Sequence, residues 1–169
     1  TEPGGGSDVA NLTTRAERDG DHYVITGAKT FITSGSRADF VTTAVRTGGA
    51  GHGGISMIVI ERGTPGFSVG KKLRKTGWWA SDTAELHFDG CRVPVANRIG
   101  PEHGAFPMIM VNFAGERLML AGRSGALLAD TGPHDHLRHR RLPLPPETTA
   151  RRRLLALWSA VSTSCVLAI

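Results

Sequence analysis

From Val9 to about Val95, short runs of β-branched, aliphatic and aromatic residues alternate with turn residues such as Gly, Pro and Asp. The pair Asp19-Gly20 separates two of these runs, which is the strongest short sequence signal of a β-hairpin. Strand after strand at this spacing predicts a mainly β domain, either an antiparallel barrel or a sandwich. The predicted strands cover residues 9–18, 22–33, 38–47, 55–62, 67–73 and 84–95.

The hydrophobic period changes near residue 102. Met108, Val111 and Leu118 recur at roughly helical spacing, and we predict one long helix over about 105–129 in spite of its glycines. The chain is therefore predicted to contain a β domain over 1–101, the start of a helical domain over 102–129, and a tail over 130–169.

The tail is rich in Arg, Pro and His and has no periodicity, which predicts loop or disorder. Its apolar run 154–169 would extend roughly 24 Å as a helix, short of the roughly 30 Å hydrocarbon core of a bilayer. We expect an incidental or core-seeking helix there and no membrane span. The stretch HDHLRH (134–139) lacks a fourth ligand and a scaffold, so no metal site is expected.

Charge and cysteine content narrow the function classes. The net charge of +5 lies mainly in the tail, because residues 1–129 carry 14 Lys and Arg against 12 Asp and Glu. A nearly neutral body gives no reason to expect a nucleic-acid partner. Cys91 and Cys165 form no CxxC and no disulfide framework, which favours a reducing compartment and a cytoplasmic location.

The chain begins TEPGGGSD, where a proline fixes the backbone and three glycines leave it bare. Bare N–H groups beside the polar side chains of Thr1, Ser7 and Asp8 would make an anion or cofactor cradle. A plain surface loop is the alternative. The run is not a P-loop, since no GK[ST] follows it.

The run FITSG (31–35) ends the second predicted hairpin strand. Alternation along a strand places Phe31 and Thr33 on one face and Ile32 and Ser34 on the other. An aromatic ring beside a hydroxyl could stack on a flat heterocycle and bond its edge, although such residues are also ordinary in strands. Its link to TEPGGGSD through one hairpin makes the cofactor interpretation more specific.

Glu116 and Arg117 are adjacent in the predicted helix, within GERLMLAG (115–122). Adjacent helical residues lie about 100° apart around the axis, so these two do not face each other as i,i+4 partners do. Apolar turns flank Glu116 on both sides, and burial there would suit a general base. A solvated surface charge is the alternative.

Taken together, the motifs resemble those of the acyl-CoA dehydrogenases. TEPGGGSD is similar to the family's TEP-x-x-GSD, and FITSG to its (W/F)-I-T-(N/S)-G. The run from TPGFSVG to VANRIG is similar to TPG…GxxxSDTxxLxFxxVxVPxxNxxG. Together the motifs cover residues 1 to about 129. The resemblance implies the family's antiparallel β-barrel middle domain followed by the first helix of its C-terminal bundle, in a protein that is usually a homotetramer.

The resemblance also implies a reaction and its residues. The family oxidises acyl-CoA thioesters between the α and β carbons with FAD, and passes the electrons to electron-transfer flavoprotein. Glu116 would be the catalytic base, as in the long-chain and isovaleryl branches, while Arg117 and Ser7 would contact the substrate. The residues that would contact FAD are Thr1, Gly4, Gly5, Gly6, Ser7, Phe31, Ile32 and Thr33.

Departures from the family pattern leave alternatives open. The sequence beyond Ala129 does not resemble that of the family. We interpret it as the product of a reading-frame shift or as a misassembled fragment. A nucleotide sequence that keeps one frame with matching homologues across residue 130 would contradict this interpretation. Thr1 would then be a break inside a cofactor site. The alternatives are an inactive truncated β domain that binds little or no flavin, and a related flavin oxidase or monooxygenase. Acyl chain length is not specified by these residues.

Overall fold

The computed structural model of the protein describes residues 1–130 and 165–168. The His-rich stretch of the tail, most of its apolar run and the disorder predicted for it lie outside those residues. The described strands are β1 (Arg15–Asp19), β2 (His22–Thr33), β3 (Phe40–Arg46), β4 (Ile55–Glu61), β5 (Phe67–Lys72), β6 (Thr83–Pro94), β7 (Arg98–Ile99) and β8 (Cys165–Ala168). The sequence did not predict β8.

The predicted hairpin is present. β1 and β2 pair in antiparallel register from Arg15 opposite Thr26 to Asp19 opposite His22, and Gly20 takes a positive φ of 59° in the turn. Glycine reaches this conformation at no steric cost, which is why the Asp-Gly pair marks the turn. The hairpin is the framework on which the two N-terminal motifs are placed.

The first strand is shorter than predicted, because residues 9–14 are held by side chains. Val9–Asn11 forms a 3-10 turn, and β1 begins only at Arg15. The Arg46 guanidinium donates to the carbonyls of Ala10 at 2.6 Å and Leu12 at 3.0 Å. These carbonyls therefore bond a side chain where a ladder would have bonded a neighbouring strand.

The strands join in the order β5-β6-β2-β1-β3-β4-β7, with β8 beside β3. Pairing is antiparallel except for a single β1–β3 pair, Arg15 with Arg46, and the β3–β8 pair. Among the described strands no pairing joins β5 to β7, so the sheet is open. The predicted mainly β fold with one long helix is confirmed, and among the described residues the strands of the predicted barrel form an open sheet.

The core consists of side chains from β2, β3, β4 and β6. Buried residues alternate with more exposed ones along much of β2 and β6, as strand periodicity requires, whereas β3 and β4 are buried along nearly their whole length. The largest members of the core are fully or almost fully buried. They are Tyr23, Ile25, Ile32, Val41, Val45, Ile58, Ile60, Leu86, Phe88 and Val93.

The long helix α1 spans Ala105–Asp130, close to the predicted 105–129. The chain divides into two compact units, one containing Thr1–Pro107 and the other beginning at Met108. Most of α1 belongs to the second unit. In the part of the chain that is described, no helix combines the length and the apolar character needed to cross a bilayer.

Gly27 is a position where β2 admits no side chain. Its φ is +148°, and a Cβ there would lie 2.7 Å from the Cα and Oγ1 atoms of Thr14. We expect Gly27→Ala to lower the free energy of unfolding by about 2–4 kcal/mol, through overpacking against backbone and an unfavourable φ. Thermal or urea unfolding measures the loss.

Gly53→Ala is the matched control, because Gly53 is exposed and a Cβ there meets nothing within 4 Å. It should unfold like the wild type. Equal unfolding curves for Gly27→Ala and Gly53→Ala would contradict the close approach of β2 to Thr14.

Candidate functional site

The TEPGGGSD loop is anchored by a buried ion pair. Lys29 on β2 is fully buried, Glu2 is 6% exposed, and Lys29 Nζ lies 2.9 Å from Glu2 Oε1. Glu2 also accepts hydrogen bonds from the Thr13 N–H and hydroxyl, both at 2.6 Å, and from the Thr14 N–H at 3.0 Å. Both carboxylate oxygens therefore have partners, and the loop is fixed to the hairpin.

The ion pair also affects the pKa values of both members. Burial alone would raise the pKa of Glu2, but the Lys29 charge and the hydrogen bonds from Thr13 and Thr14 outweigh it and lower that pKa to about 2. Burial lowers the pKa of Lys29, an effect that the Glu2 charge opposes. Glu2 is therefore an anion throughout the neutral range.

The glycines of the loop have two different environments. Side chains added at Gly4 or Gly5 would meet nothing within 4 Å, whereas a Cβ at Gly6 would lie 2.9 Å from Thr1 Cγ2. The Gly5 N–H donates to the Glu2 carbonyl at 3.1 Å, and the Glu2 N–H donates to the Gly5 carbonyl at 2.9 Å. The loop is thus closed on itself with a bare outer surface.

A depression of about 140 Å³ is lined by the loop and by the 3-10 turn that follows it. Ligand pockets usually measure roughly 300–1,000 Å³. The depression is therefore too small to enclose a dinucleotide, and the loop would supply one wall of a larger site.

The structure brings FITSG next to this loop. The Thr30 N–H donates to the Thr1 carbonyl at 2.9 Å, immediately before Phe31. Phe31 is 64% exposed and Thr33 is also exposed, while Ile32 belongs to the core, as the alternation predicted. Any contact of Ile32 with a ligand would therefore involve its backbone.

A bulge in β2 controls the direction of Phe31. Lys29 is opposite Leu86 and Ile32 is opposite Ala84, so three steps along β2 match two along β6. Phe31, inside this bulge, takes a positive φ of 59°. The extra residue allows both Lys29 and Ile32 to face inward while the ring of Phe31 points outward.

The turn after β2 depends on a buried carboxylate that the sequence did not single out. Asp82 is 7% exposed and its Oδ2 accepts from the N–H and hydroxyl of Ser36 at 2.9 and 2.5 Å. Arg37 Nε lies 3.2 Å from Asp82 Oδ1. Burial would raise the pKa of Asp82, but the bonds from Ser36 and the charge of Arg37 lower it.

The remaining predicted residues are placed as follows. Ser7 is exposed at the end of the glycine loop. Glu116 is half-buried on α1 and accepts a hydrogen bond from Asn112 Nδ2 at 2.9 Å, while Arg117 is exposed. Both lie in the second compact unit. Among the described residues, no three of His, Cys, Asp and Glu gather as metal ligands would.

Glu2, Lys29 and Asp82 are thus the residues that sequence reasoning missed. The one sequence signal for Lys29 is its position in the middle of a strand with buried neighbours. A buried ammonium needs a partner, so this position indicates an ion pair. No sequence pattern identified Glu2 as that partner, and Asp82 was noted only as part of a family motif.

Known proteins resemble a large part of this chain. The family described as "Acyl-CoA dehydrogenase, middle domain" matches residues 1–91. The mitochondrial isobutyryl-CoA dehydrogenase of Bos taurus is 49% identical over 124 residues, which cover 73% of this chain and 30% of the relative. The mitochondrial isovaleryl-CoA dehydrogenase of Pongo abelii is 40% identical over 145 residues, which cover 82% of this chain and 34% of the relative.

A solved structure agrees with these sequences. The acyl-CoA dehydrogenase of Geobacillus kaustophilus superposes with a TM-score of 0.69 at 48% identity, covering 72% of this chain and 33% of that one. The chain spans about a third of the length of the curated relatives it matches, at 30% and 34%.

The Glu2–Lys29 pair makes a testable contribution to stability. At pH 7 we expect Glu2→Gln to lower the free energy of unfolding by about 3–5 kcal/mol, because it leaves Lys29 buried without a counter-charge. Replacing both residues, with Glu2→Gln and Lys29→Met together, should recover much of that loss. Urea unfolding of the two variants and the wild type gives both numbers.

The same pair predicts a pH dependence. The folded pKa of Glu2 is about 2 against an ordinary value of 4.5, so its contribution is complete above pH 5 and disappears as the pH falls toward 2. The difference in stability between the wild type and Glu2→Gln should shrink across that window. A difference that stays constant from pH 7 to pH 2 would contradict the role of Glu2.

Proposed function

This chain belongs to the acyl-CoA dehydrogenase family, and on that premise we propose that it forms the flavin-binding part of an enzyme that oxidises acyl-CoA thioesters. The observation that carries the proposal is the joining of two motifs. The bare loop at Gly4 and Gly5 and the exposed side chains of Phe31 and Thr33 are held together by the bond from Thr30 to Thr1. Two stretches that are distant in the sequence thus lie side by side.

The residues on this surface suit FAD. A planar isoalloxazine needs an apolar surface to lie against and donors at its edge, which the Phe31 ring, the Thr33 hydroxyl and the backbone would supply. The open space above Gly4 and Gly5 admits close approach of a ligand to the bare backbone of the loop. Thr1, Gly4, Gly5, Gly6, Ser7, Phe31, Ile32 and Thr33 are the proposed flavin contacts.

Bound FAD would supply the hydride acceptor for the β carbon of the substrate. The protein's own part is to remove the proton from the α carbon, and we assign that step to the Glu116 carboxylate, which takes up the proton as the double bond forms. The hydrogen bond from Asn112 to Glu116 orients that carboxylate on α1. Arg117 and Ser7 would bind the CoA thioester.

The proposed partners follow from the family. The substrate is an acyl-CoA, the electrons pass to electron-transfer flavoprotein, and the whole protein is a homotetramer. The two curated relatives described above are named for short branched acyl groups, so isobutyryl-CoA and isovaleryl-CoA are the first substrates to test. The cytoplasmic location stays a prediction.

Flavin uptake is the first test. The purified chain should bind added FAD with quenched flavin fluorescence, and the visible flavin absorbance should bleach when isobutyryl-CoA is added without oxygen. A chain that never takes up FAD would support the alternative of a truncated β domain. Oxygen consumption with the same substrate would support a flavin oxidase or monooxygenase.

Gly5→Leu tests whether the glycine loop is the wall of the site. A Cβ at Gly5 meets nothing within 4 Å, so folding should be unchanged, yet the leucine side chain would occupy the surface that a ligand approaches. We expect FAD binding to weaken about tenfold or more, equivalent to about 1.4 kcal/mol. Gly53→Leu, at another open glycine, should bind FAD like the wild type.

Glu116→Gln tests the base. The variant should keep its flavin and lose turnover by about 10²–10⁴-fold, the usual contribution of general-base catalysis. Glu61→Gln, an exposed carboxylate at the end of β4, is the control and should leave turnover unchanged. Near-normal turnover in Glu116→Gln would place the base on another residue.

A further inference from the structure

The end of β2 and the turn that follows it each contain a residue in an unfavourable backbone conformation. Phe31 has a φ of 59° and Ser34 a φ of 60°, although neither is glycine. A residue with a Cβ in the left-handed region costs on the order of 1–2 kcal/mol, so such conformations persist only where other contacts impose them. The segment from Phe31 to Arg37 must therefore be held from outside.

Asp82 accepts the hydrogen bonds that fix this segment through its N–H groups. Its carbonyl accepts from the Ser34 N–H at 3.0 Å, while its carboxylate accepts from the Ser36 N–H and hydroxyl. Arg37 bridges the two ends of the turn, because its Nε lies near Asp82 Oδ1 and its Nη2 donates to Ser34 Oγ at 2.9 Å.

A different residue contacts the carbonyl groups of the same segment. Arg62 donates from Nη2 to the Ser36 carbonyl at 2.5 Å and from Nε to the Ala38 carbonyl at 2.9 Å. The two sets of contacts are chemically distinct, because Asp82 accepts hydrogen bonds from this segment whereas Arg62 donates hydrogen bonds to it. Loss of the Asp82 carboxylate would leave the Ser36 N–H without its acceptor, while the contacts from Arg62 and the bond from the Ser34 N–H to the main-chain carbonyl of residue 82 stay in place.

The position of Asp82 is itself fixed. It immediately precedes β6, whose first residue, Thr83, pairs with Thr33. The Leu73 N–H donates to the Thr83 carbonyl at 2.8 Å, and Lys75 Nζ donates to the Ser81 carbonyl at 2.6 Å. A buried carboxylate next to the first pair of a strand is a rigid reference point for the turn.

We propose that Asp82 is a positioning residue, whose buried carboxylate fixes the turn so that Phe31 and Thr33 present one defined surface to the flavin. The flavin part of this statement rests on the function proposed above. Asparagine would not replace Asp82, because both carboxylate oxygens face donors and an asparagine side chain has only one acceptor oxygen, its other end being an NH₂ donor. At Oδ2 two donors from Ser36 converge, and at Oδ1 the donor is Arg37.

The test uses Asp82→Asn with Asp39→Asn as the control, because Asp39 is an exposed carboxylate close to the same turn. Amide hydrogen exchange of the protein without added flavin should accelerate about tenfold or more over residues 31–38 in Asp82→Asn, with β3 and β4 unchanged. The FAD dissociation constant should rise by a similar factor, with a changed visible spectrum for the flavin that still binds. Asp39→Asn should change neither quantity.

Each outcome decides the proposal. Unchanged exchange at 31–38 in folded Asp82→Asn overturns it, and so does local acceleration with wild-type FAD affinity. If the wild type binds no FAD, the proposed function fails, and the exchange data alone decide whether Asp82 positions the turn. Should Asp82→Asn not fold, Ser36→Ala removes one donor and keeps the charge; it should show a smaller change in the same residues, and no change there overturns the proposal.

Discussion

The fold of the N-terminal motif depends on one buried ion pair, Glu2 with Lys29. Removing two charges from water costs several kcal/mol each unless their partners are complete. Here the carboxylate receives bonds from Thr13, Thr14 and the ammonium, and Lys29 is fully buried. Because that arrangement tolerates little displacement, the loop, the start of β1 and the middle of β2 keep one relative geometry.

Charged side chains also fix other loops of the β unit. Apolar side chains form the sheet core, whereas charged side chains bond the loop backbone groups that no strand pairs. Arg46 donates to carbonyls of the segment before β1, Arg62 donates to carbonyls after β2, and the Asp82 carboxylate accepts from the Ser36 N–H of that turn. Loops with so many glycines would otherwise lose much order, because glycine has the largest conformational freedom of any residue.

Much of this fold could be predicted from sequence, because strand periodicity and turn residues are local signals. The prediction for β2 was correct at both ends, and β4 and α1 were correct to within a residue or two. The start of β1 was wrong because Arg46, far away in sequence, captures the backbone there. The open edges of the sheet and the short β8 depend on long-range pairing that periodicity does not encode.

The candidate site divides in the same way. The glycine loop, Phe31 and Thr33 were found through composition and alternation, while Ile32 was predicted on the face opposite Phe31 and is buried there. Glu2 and Asp82 act through partners distant in sequence, and nothing in one sequence indicates which acid meets Lys29 or Ser36. The roles assigned to Glu116 and Arg117 stay predictions.

The bulge in β2 has a consequence for how the site tolerates change. Buried positions fall on odd numbers up to Lys29 and on an even number at Ile32, so the inward phase of the strand reverses within three residues. Without the extra residue, Phe31 would share the inward face with Lys29. The outward aromatic ring is thus encoded by a residue count as well as by a residue type. Single-residue insertions or deletions between Lys29 and Ile32 would alter the site even if every side chain in it were retained.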